Sequence, residues 1–344
     1  MSFIWPSILR KLGVVGMNKR NVSYIAKNNA RHLYPLVDNK LKTKVLAEKA
    51  GLAVPKLLGV MRVQKHVKQL IPYMKDHDSF VIKPAKGSGG KGIMVITRKQ
   101  NLLSGRIDSD QNPHGDQGSN HVHDTFFGPD GSRITEAQIH RHASNILSGL
   151  YSLGGNPDVA MIEEKIEFSS IFESFTYQGV PDLRIIIYKG YPVLAMARLS
   201  TANSGGKANL HQGAVGVGID IGTGRALRAI QHGIPITEHP DTKRRLSDLC
   251  IPDWHTCLQQ AAMCYEVTGL GYLGADIVID ARKGPMILEL NARPGLAIQL
   301  ANGLGLQTRL DMIDAHCTAR KQCEEYAQRV DFSLQHFCCA LDVL

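Results

Sequence analysis

The sequence predicts an α+β protein, and two hairpin-like stretches separated by helical segments carry that expectation. The first is Phe80-Val-Ile-Lys-Pro-Ala-Lys-Gly-Ser-Gly-Gly-Lys-Gly-Ile-Met-Val-Ile96, a glycine-rich tip between two apolar, β-prone runs. The second is Gly274-Ala-Asp-Ile-Val-Ile-Asp280 followed by Pro285-Met-Ile-Leu-Glu-Leu-Asn-Ala-Arg-Pro-Gly295, where apolar and acidic residues alternate. Lysines and glycines in one stretch suit a polyphosphate. Hard oxygen donors in the other suit a divalent cation such as Mg²⁺.

From the N-terminus, Trp5, Ile8, Leu9 and Leu12 follow helical spacing, with Pro6 tolerated in a first turn, and this short amphipathic helix is expected to pack on the protein, with membrane or partner docking as the alternative. A second helix, from Asp38 through Lys40, ends at Gly51, and Val54-Pro55 opens an extended segment. In the glycine stretch, Lys91 is followed by Gly92 and strand residues. A phosphate loop that opens a helix, with Ser or Thr after its lysine, is therefore excluded. Gly87, Gly89, Gly90 and Gly92, with Ser88 and Lys91 among them, read instead as a hairpin tip whose N–H groups can fold over phosphates. Lys83 stands between apolar strand and proline, where packing gives it little purpose.

Residues 108–124 are polar and carry His114, His121 and His123; a surface loop is expected there. Thr135 opens a helix to about Leu150, Asp158 to Ile166 reads as a strand, and Asp182 to Val217 as strands interrupted by Asn203–Gly206. Arg244 to Thr268 is expected to be helical, with Cys250, Cys257 and Cys264 forming a buried stripe every seventh residue. If Ala281–Gly284 is a four-residue turn, Asp280 pairs with Pro285 and Asp276 stands directly opposite Glu289, with Asn291 on the same face. Ile277, Ile279, Met286, Leu288 and Leu290 then form an apolar opposite face. Opposed carboxylates repel across a ladder. A cation between them converts that cost into a gain.

The 344 residues are long enough to bury a substantial core, and 43% hydrophobic with 21% charged residues suits a folded chain. Forty basic against 31 acidic residues give a net charge of +9, spread along the chain without interleaved aromatics, so nucleic acid is not the expected partner. Seven cysteines, an odd number without framework spacing, fit a reducing cytoplasm. No apolar run reaches transmembrane length, and the N-terminus lacks the pattern of a signal peptide.

Taken in order, the Lys40 helix, the Lys83 strand, the glycine hairpin, Ile162-Glu-Glu-Lys-Ile166, Asp182-Leu-Arg184, Asn209-Leu-His-Gln-Gly213 and the Asp276/Glu289/Asn291 hairpin resemble an ATP-grasp ligase over residues 36–305. Within that superfamily the chain is similar to the alpha-L-glutamate ligase-like branch that modifies ribosomal protein S6. The resemblance implies an ATP-grasp fold of two α+β lobes gripping the nucleotide: residues 36–165 and 166–316, after an N-terminal helical segment (1–35) and before a C-terminal tail (317–344). It implies that Lys40 and Lys83 contact phosphates, that Gly87 to Gly92 close over the γ-phosphate, and that Glu164, Lys165 and Ile166 meet the adenine edge. Asp182, with Glu167 as the alternative, is implied to take the ribose. Arg184, Arg198 and Asn209 are implied to line the transferred phosphate and acyl group, and Asp276, Glu289 and Asn291 to hold Mg²⁺ or Mn²⁺. Three departures stand out. Residues 1–35 are too few for the α/β domain that usually precedes the grasp, the polar insertion at 108–124 has no counterpart in that branch, and Arg293 replaces a small residue of it, which points to a different anionic substrate.

The implied chemistry is ATP-dependent: a substrate carboxylate takes the γ-phosphoryl group, and an amine displaces phosphate from the acyl phosphate, with Arg184 and Arg293 suited to the anionic intermediates. His211 is a candidate base. The expected partners are a small carboxylate and an amine, peptide or protein acceptor, in a cytoplasmic protein open to homo-oligomer formation. The rival readings are a phosphotransferase acting on a hydroxyl, and a nucleotide-binding regulator without turnover.

Overall fold

The computed structural model of the chain describes residues 6–87, 89–102, 123–320 and 324–339, so Trp5, Ser88, His114 and His121 lie outside the described residues. The chain forms two compact units, one of Lys56–Lys165 and one of Met1–Pro55 with Ile166–Leu344. The helix bearing Lys40, expected with the glycine hairpin, belongs to the second of these. Its edge strand donates a backbone bond to the segment after that helix, from Ile287 N to Ala53 O at 2.8 Å.

In the Lys56–Lys165 unit, strands β1 (Leu57–Met61), β2 (Phe80–Pro84) and β3 (Met94–Ile96) join a later strand. A small three-stranded sheet follows, made of β4 (Arg98–Leu102), β5 (His123–Phe127) and β6 (Arg133–Ile134). Strand β7 (Ala160–Glu164) completes a four-stranded sheet in the order β1-β7-β2-β3. β2 and β3 pair antiparallel through Phe80↔Ile96, Val81↔Val95 and Ile82↔Met94, the expected strand, glycine turn and strand. The helix Glu136–Leu147 starts where the sequence places it, because Thr135 caps it in a capping box with Gln138. Its Ile139, Ala143 and Ile146 bury against Phe80, Ile82, Ile96 and Ile162. Each such side chain contributes roughly 1.5–3 kcal/mol by leaving water.

The other unit is built on a seven-stranded antiparallel sheet. Its strands are β8 (Asp182–Tyr188), β9 (Tyr191–Leu199), β10 (Val215–Ile219), β11 (Ala226–Gln231), β12 (Ile234–Ile236), β13 (Tyr272–Asp280) and β14 (Gly284–Asn291), in the order β12-β11-β10-β9-β8-β13-β14. The helix Lys40–Lys49 begins at Asn39, whose side chain accepts from Leu41 N and Lys42 N, and the chain turns away after it at Gly51 with φ +76°. The expected helix from Arg244 is shorter, running only from Trp254 to Thr268. Pro252 disfavours helical backbone before it, and residues 244–251 instead pair outward, with Arg225 facing Cys250 and Glu238 facing Arg245. Cys257 and Cys264 are therefore the buried part of the expected stripe, while Cys250 is exposed and off the helix. Within residues 317–344 a further helix, Tyr326–His336, packs on the Trp254–Thr268 helix.

The N-terminal helix, Pro6–Lys11, departs from expectation in a different way. Ile8, Leu9 and Leu12 are exposed rather than packed.

Candidate active site

The β13–β14 hairpin brings the acidic residues together, though by a route that differs in detail from the expected one. Asp280 pairs with Gly284 rather than Pro285, because its Oδ1 accepts from Arg282 N (2.9 Å) and Lys283 N (3.0 Å) and tightens the turn by one residue. Ile277 then pairs with Ile287, and an extra residue at Leu288 bulges the ladder so that Asp276 still faces Glu289. Ile277, Ile279, Met286 and Leu290 are buried as expected; Leu288, at the bulge, is half-buried.

Asp276 is 3% exposed, and the neighbouring strand β8 places Arg184 directly beside it. Arg184 donates to it twice, Nε to Oδ1 at 2.8 Å and Nη2 to Oδ2 at 2.6 Å. Arg198, on β9, donates to Asp182 through Nε and Nη2 and reaches Asp276 Oδ2 at 2.8 Å. Asn291 Nδ2 lies 3.3 Å from the same oxygen. Glu289 accepts from Lys40 Nζ at 3.1 Å. Burial alone pushes the Asp276 carboxyl up, but the guanidinium groups of Arg184 and Arg198 overcome it and hold the group down, to about 2. Asp182 moves the other way, raised by its burial and by the charge of Asp276 against the pull of Arg198.

Several expected roles change here. Asp182 is buried, and both of its oxygens accept from Arg198, so it is the counter-ion of an arginine and not a group presented to a ribose. The alternative, Glu167, is exposed and stands just after the residues expected to meet adenine. Arg293 lies beyond the end of β14, exposed, with its guanidinium 4.9 Å from the Tyr34 ring centroid, instead of continuing the strand face of Asn291. Asn209 caps a short turn, accepting from His211 N at 3.0 Å, and His211 is exposed.

The donors suit magnesium shared with a nucleotide. Mg²⁺ commonly takes one or two carboxylates and completes its shell from water and phosphate oxygens. Glu289 and Asn291 stand on one strand beside Asp276, whose two oxygens accept from Arg184 and Arg198 and would have to exchange an arginine for the ion. Among the described residues there is no cluster of three or more His, Cys, Asp or Glu side chains that could hold a metal without such help.

In the Lys56–Lys165 unit, Lys83 is buried and its Nζ lies 2.5 Å from Glu163 Oε2. Glu163 escaped the sequence reading, although a carboxylate inside Ala160-Met-Ile-Glu-Glu164 was a usable signal. The glycine loop is held at both ends. Asp158 Oδ2 accepts from Lys86 N at 2.8 Å, and His142 Nε2 lies 3.0 Å from Gly92 O, with its ring tilted against Tyr151. Gly89, Gly90 and Gly92 all have positive φ, and a Cβ on Gly92 would meet Tyr151 at 2.5 Å. Lys91 is exposed at the tip, and Gly87 bridges to Ser152. Strand β7 ends at Glu164, whose Oε1 accepts from Lys56 N at 2.8 Å, and the chain leaves this unit between Lys165 and Ile166.

This chain belongs to the sugar-transfer associated ATP-grasp family, which matches residues 19–315. It therefore has the ATP-grasp fold that the motifs imply. No curated protein matches it in sequence. Among solved structures it is similar to the ATP-grasp ligase PsnB complexed with a minimal precursor, at 14% identity and a TM-score of 0.42, covering 84% of this chain and 63% of that one. It is also similar to a Chryseobacterium gregarium RiPP-associated ATP-grasp ligase in complex with ADP and a leader and core peptide, at 12% identity, a TM-score of 0.43 and coverage of 93% and 74%. D-cycloserine synthetase DcsG shows 13% identity and a TM-score of 0.41, with 88% and 71% covered.

Proposed function

We propose that the chain is an ATP-dependent carboxylate–amine ligase. The observation that supports it is the Arg184–Asp276–Arg198 network lying on the strand face of Glu289 and Asn291. In the contacts described, Arg184 and Arg198 each donate through Nε and Nη2. The carboxylates thereby fix two guanidinium planes and leave Nη1 of each for a substrate oxyanion. Magnesium bound by Asp276, Glu289 and Asn291 would neutralise phosphate charge during transfer. Arg184 and Arg198 would orient the carboxylate for attack on the γ-phosphorus and hold the acyl phosphate that forms. When the amine nitrogen attacks the acyl carbon, the same donors would stabilise the oxyanion, and inorganic phosphate leaves. In the Lys56–Lys165 unit, Lys83 and the glycine loop would bind phosphate, the loop's N–H groups excluding water; in the other unit, Lys40 would be a phosphate contact. The residues from Glu164 to Ile166 would meet adenine, and Glu167 the ribose.

A hydroxyl-phosphorylating enzyme is the weaker reading, because both buried aspartates of the network already accept from arginine and neither is placed as a base. The family's association with sugar transfer makes a sugar-borne amine or carboxylate a substrate class to screen beside glutamate and peptides. ADP release should require an acid and an amine together, and oxygen-18 in the carboxylate should appear in the released phosphate. Phosphorylation of an alcohol without oxygen-18 transfer would establish the kinase reading instead. ATP binding with no turnover on any substrate would leave a nucleotide-binding regulator.

A further inference from the structure

Residues 1–37 hold Arg10, Lys11, Lys19, Arg20, Lys27 and Arg31 and contain no Asp or Glu; Asp38 is the first acid of the chain. Within this basic stretch the helix Pro6–Lys11 and the turn after it carry Ile8, Leu9 and Leu12, exposed by 46%, 37% and 63%. Single exposed leucines are ordinary on protein surfaces. Here three fall within five residues, and the chain immediately after them is tied down. Gly13 O accepts from Gln307 N at 2.9 Å, Val15 N donates to Gln299 Oε1 at 2.9 Å, and Gln299 Nε2 returns a bond to Val15 O at 3.0 Å. The backbone at Gly305 lies against Leu12 and Gly13 so closely that a Cβ there would meet Gly13 C at 2.1 Å. That contact adds exposed Leu304, and Leu300 one turn earlier, to the same neighbourhood.

We propose that this face, Ile8, Leu9 and Leu12 with Arg10 and Lys11, docks the protein on an anionic lipid surface. The charge pattern selects the occupant. A short helix with aliphatic side chains and basic flanks places the former below the headgroups and the latter at lipid phosphates. An acidic protein surface would satisfy the arginine and lysine and leave the protruding aliphatic groups against polar atoms. The role is peripheral, since no described helix is long and apolar enough to cross a membrane.

The test is co-sedimentation of the full chain with vesicles of phosphatidylcholine alone and of phosphatidylcholine mixed with phosphatidylglycerol. Binding should appear only with the mixed vesicles and weaken with salt. The pair Arg10→Gln/Lys11→Gln should lose about five-fold per charge. Leu9→Ser/Leu12→Ser should lose at least about ten-fold. Thermal unfolding and ATP binding should stay as in the parent, which separates lost docking from lost folding. Absence of binding to mixed vesicles, or equal binding by the variants, overturns the proposal. A dimer in solution that Leu12→Ser dissociates, without vesicle binding by the parent, overturns it in favour of self-association.

Discussion

At the residue scale the site turns on how each carboxylate is compensated. Asp276 is buried between two guanidinium groups, whereas Glu289 meets Lys40 in a half-exposed pair. Asp276→Asn leaves buried arginine charge underpaired and should destabilise the fold by about 3–5 kcal/mol. Glu289→Gln gives up a pair worth no more than about 1 kcal/mol and should lose Mg²⁺-dependent ADP formation with the melting temperature nearly kept. Calorimetry beside an ADP assay separates the two. Held near 2, below its ordinary 3.8, Asp276 contributes stability that is present above the ordinary value and lost as pH falls through the lowered one. Asp276→Asn should lack that loss. Asp182, raised, acts in the opposite sense, its contribution fading as pH rises through its shifted value.

At the element scale, the Lys56–Lys165 unit joins its sheet to a hairpin tip in which Gly89, Gly90 and Gly92 take positive φ. Lys83 serves that unit twice in our reading, as the partner of Glu163 and as a phosphate contact. Lys83→Met removes the buried cation 2.5 Å from Glu163 Oε2 and should destabilise this unit. Adding Glu163→Leu removes the second charge of the pair and should recover much of that stability, without recovering ATP affinity. Denaturant unfolding with nucleotide titration reads both. Recovery of ATP binding in the double variant would reduce Lys83 to a structural residue.

At the scale of the whole molecule, the buried Arg329 ties the Tyr326–His336 helix to the large sheet, beside Val330 and Phe337 in the core. Arg329 donates to Glu266 on the Trp254–Thr268 helix, to Glu324 O, and through Nε to Gly190 O at 3.2 Å. Gly190, at φ +85°, turns the β8–β9 hairpin, and a Cβ there would meet Arg329 Nε at 2.4 Å. Arg329→Ala should destabilise this unit by about 3 kcal/mol and make the chain beyond Ala319 the first segment cut in limited proteolysis. Unchanged protection there would show that the helix holds by its apolar face alone.

The sequence by itself determined what depends on neighbours along the chain. Alternation and glycine placement define the β2–β3 hairpin, Thr135 starts its helix, and the acidic hairpin puts Asp276 opposite Glu289. Even there the agreement was partly compensation, a tighter turn at Asp280 offset by a bulge at Leu288 that no local rule announces. Tertiary structure decided the rest. Arg184, Arg198 and Asp182 meet Asp276 only because β8, β9 and β13 are adjacent in one sheet, and that adjacency makes Asp182 a buried counter-ion. Lys40 joins the carboxylates because its helix belongs with β14, and Arg293 leaves them because the strand ends at Asn291. Pairing across 78 or 92 residues is chosen by what a closed core can bury, and a charge's role follows from the partner that burial forces on it.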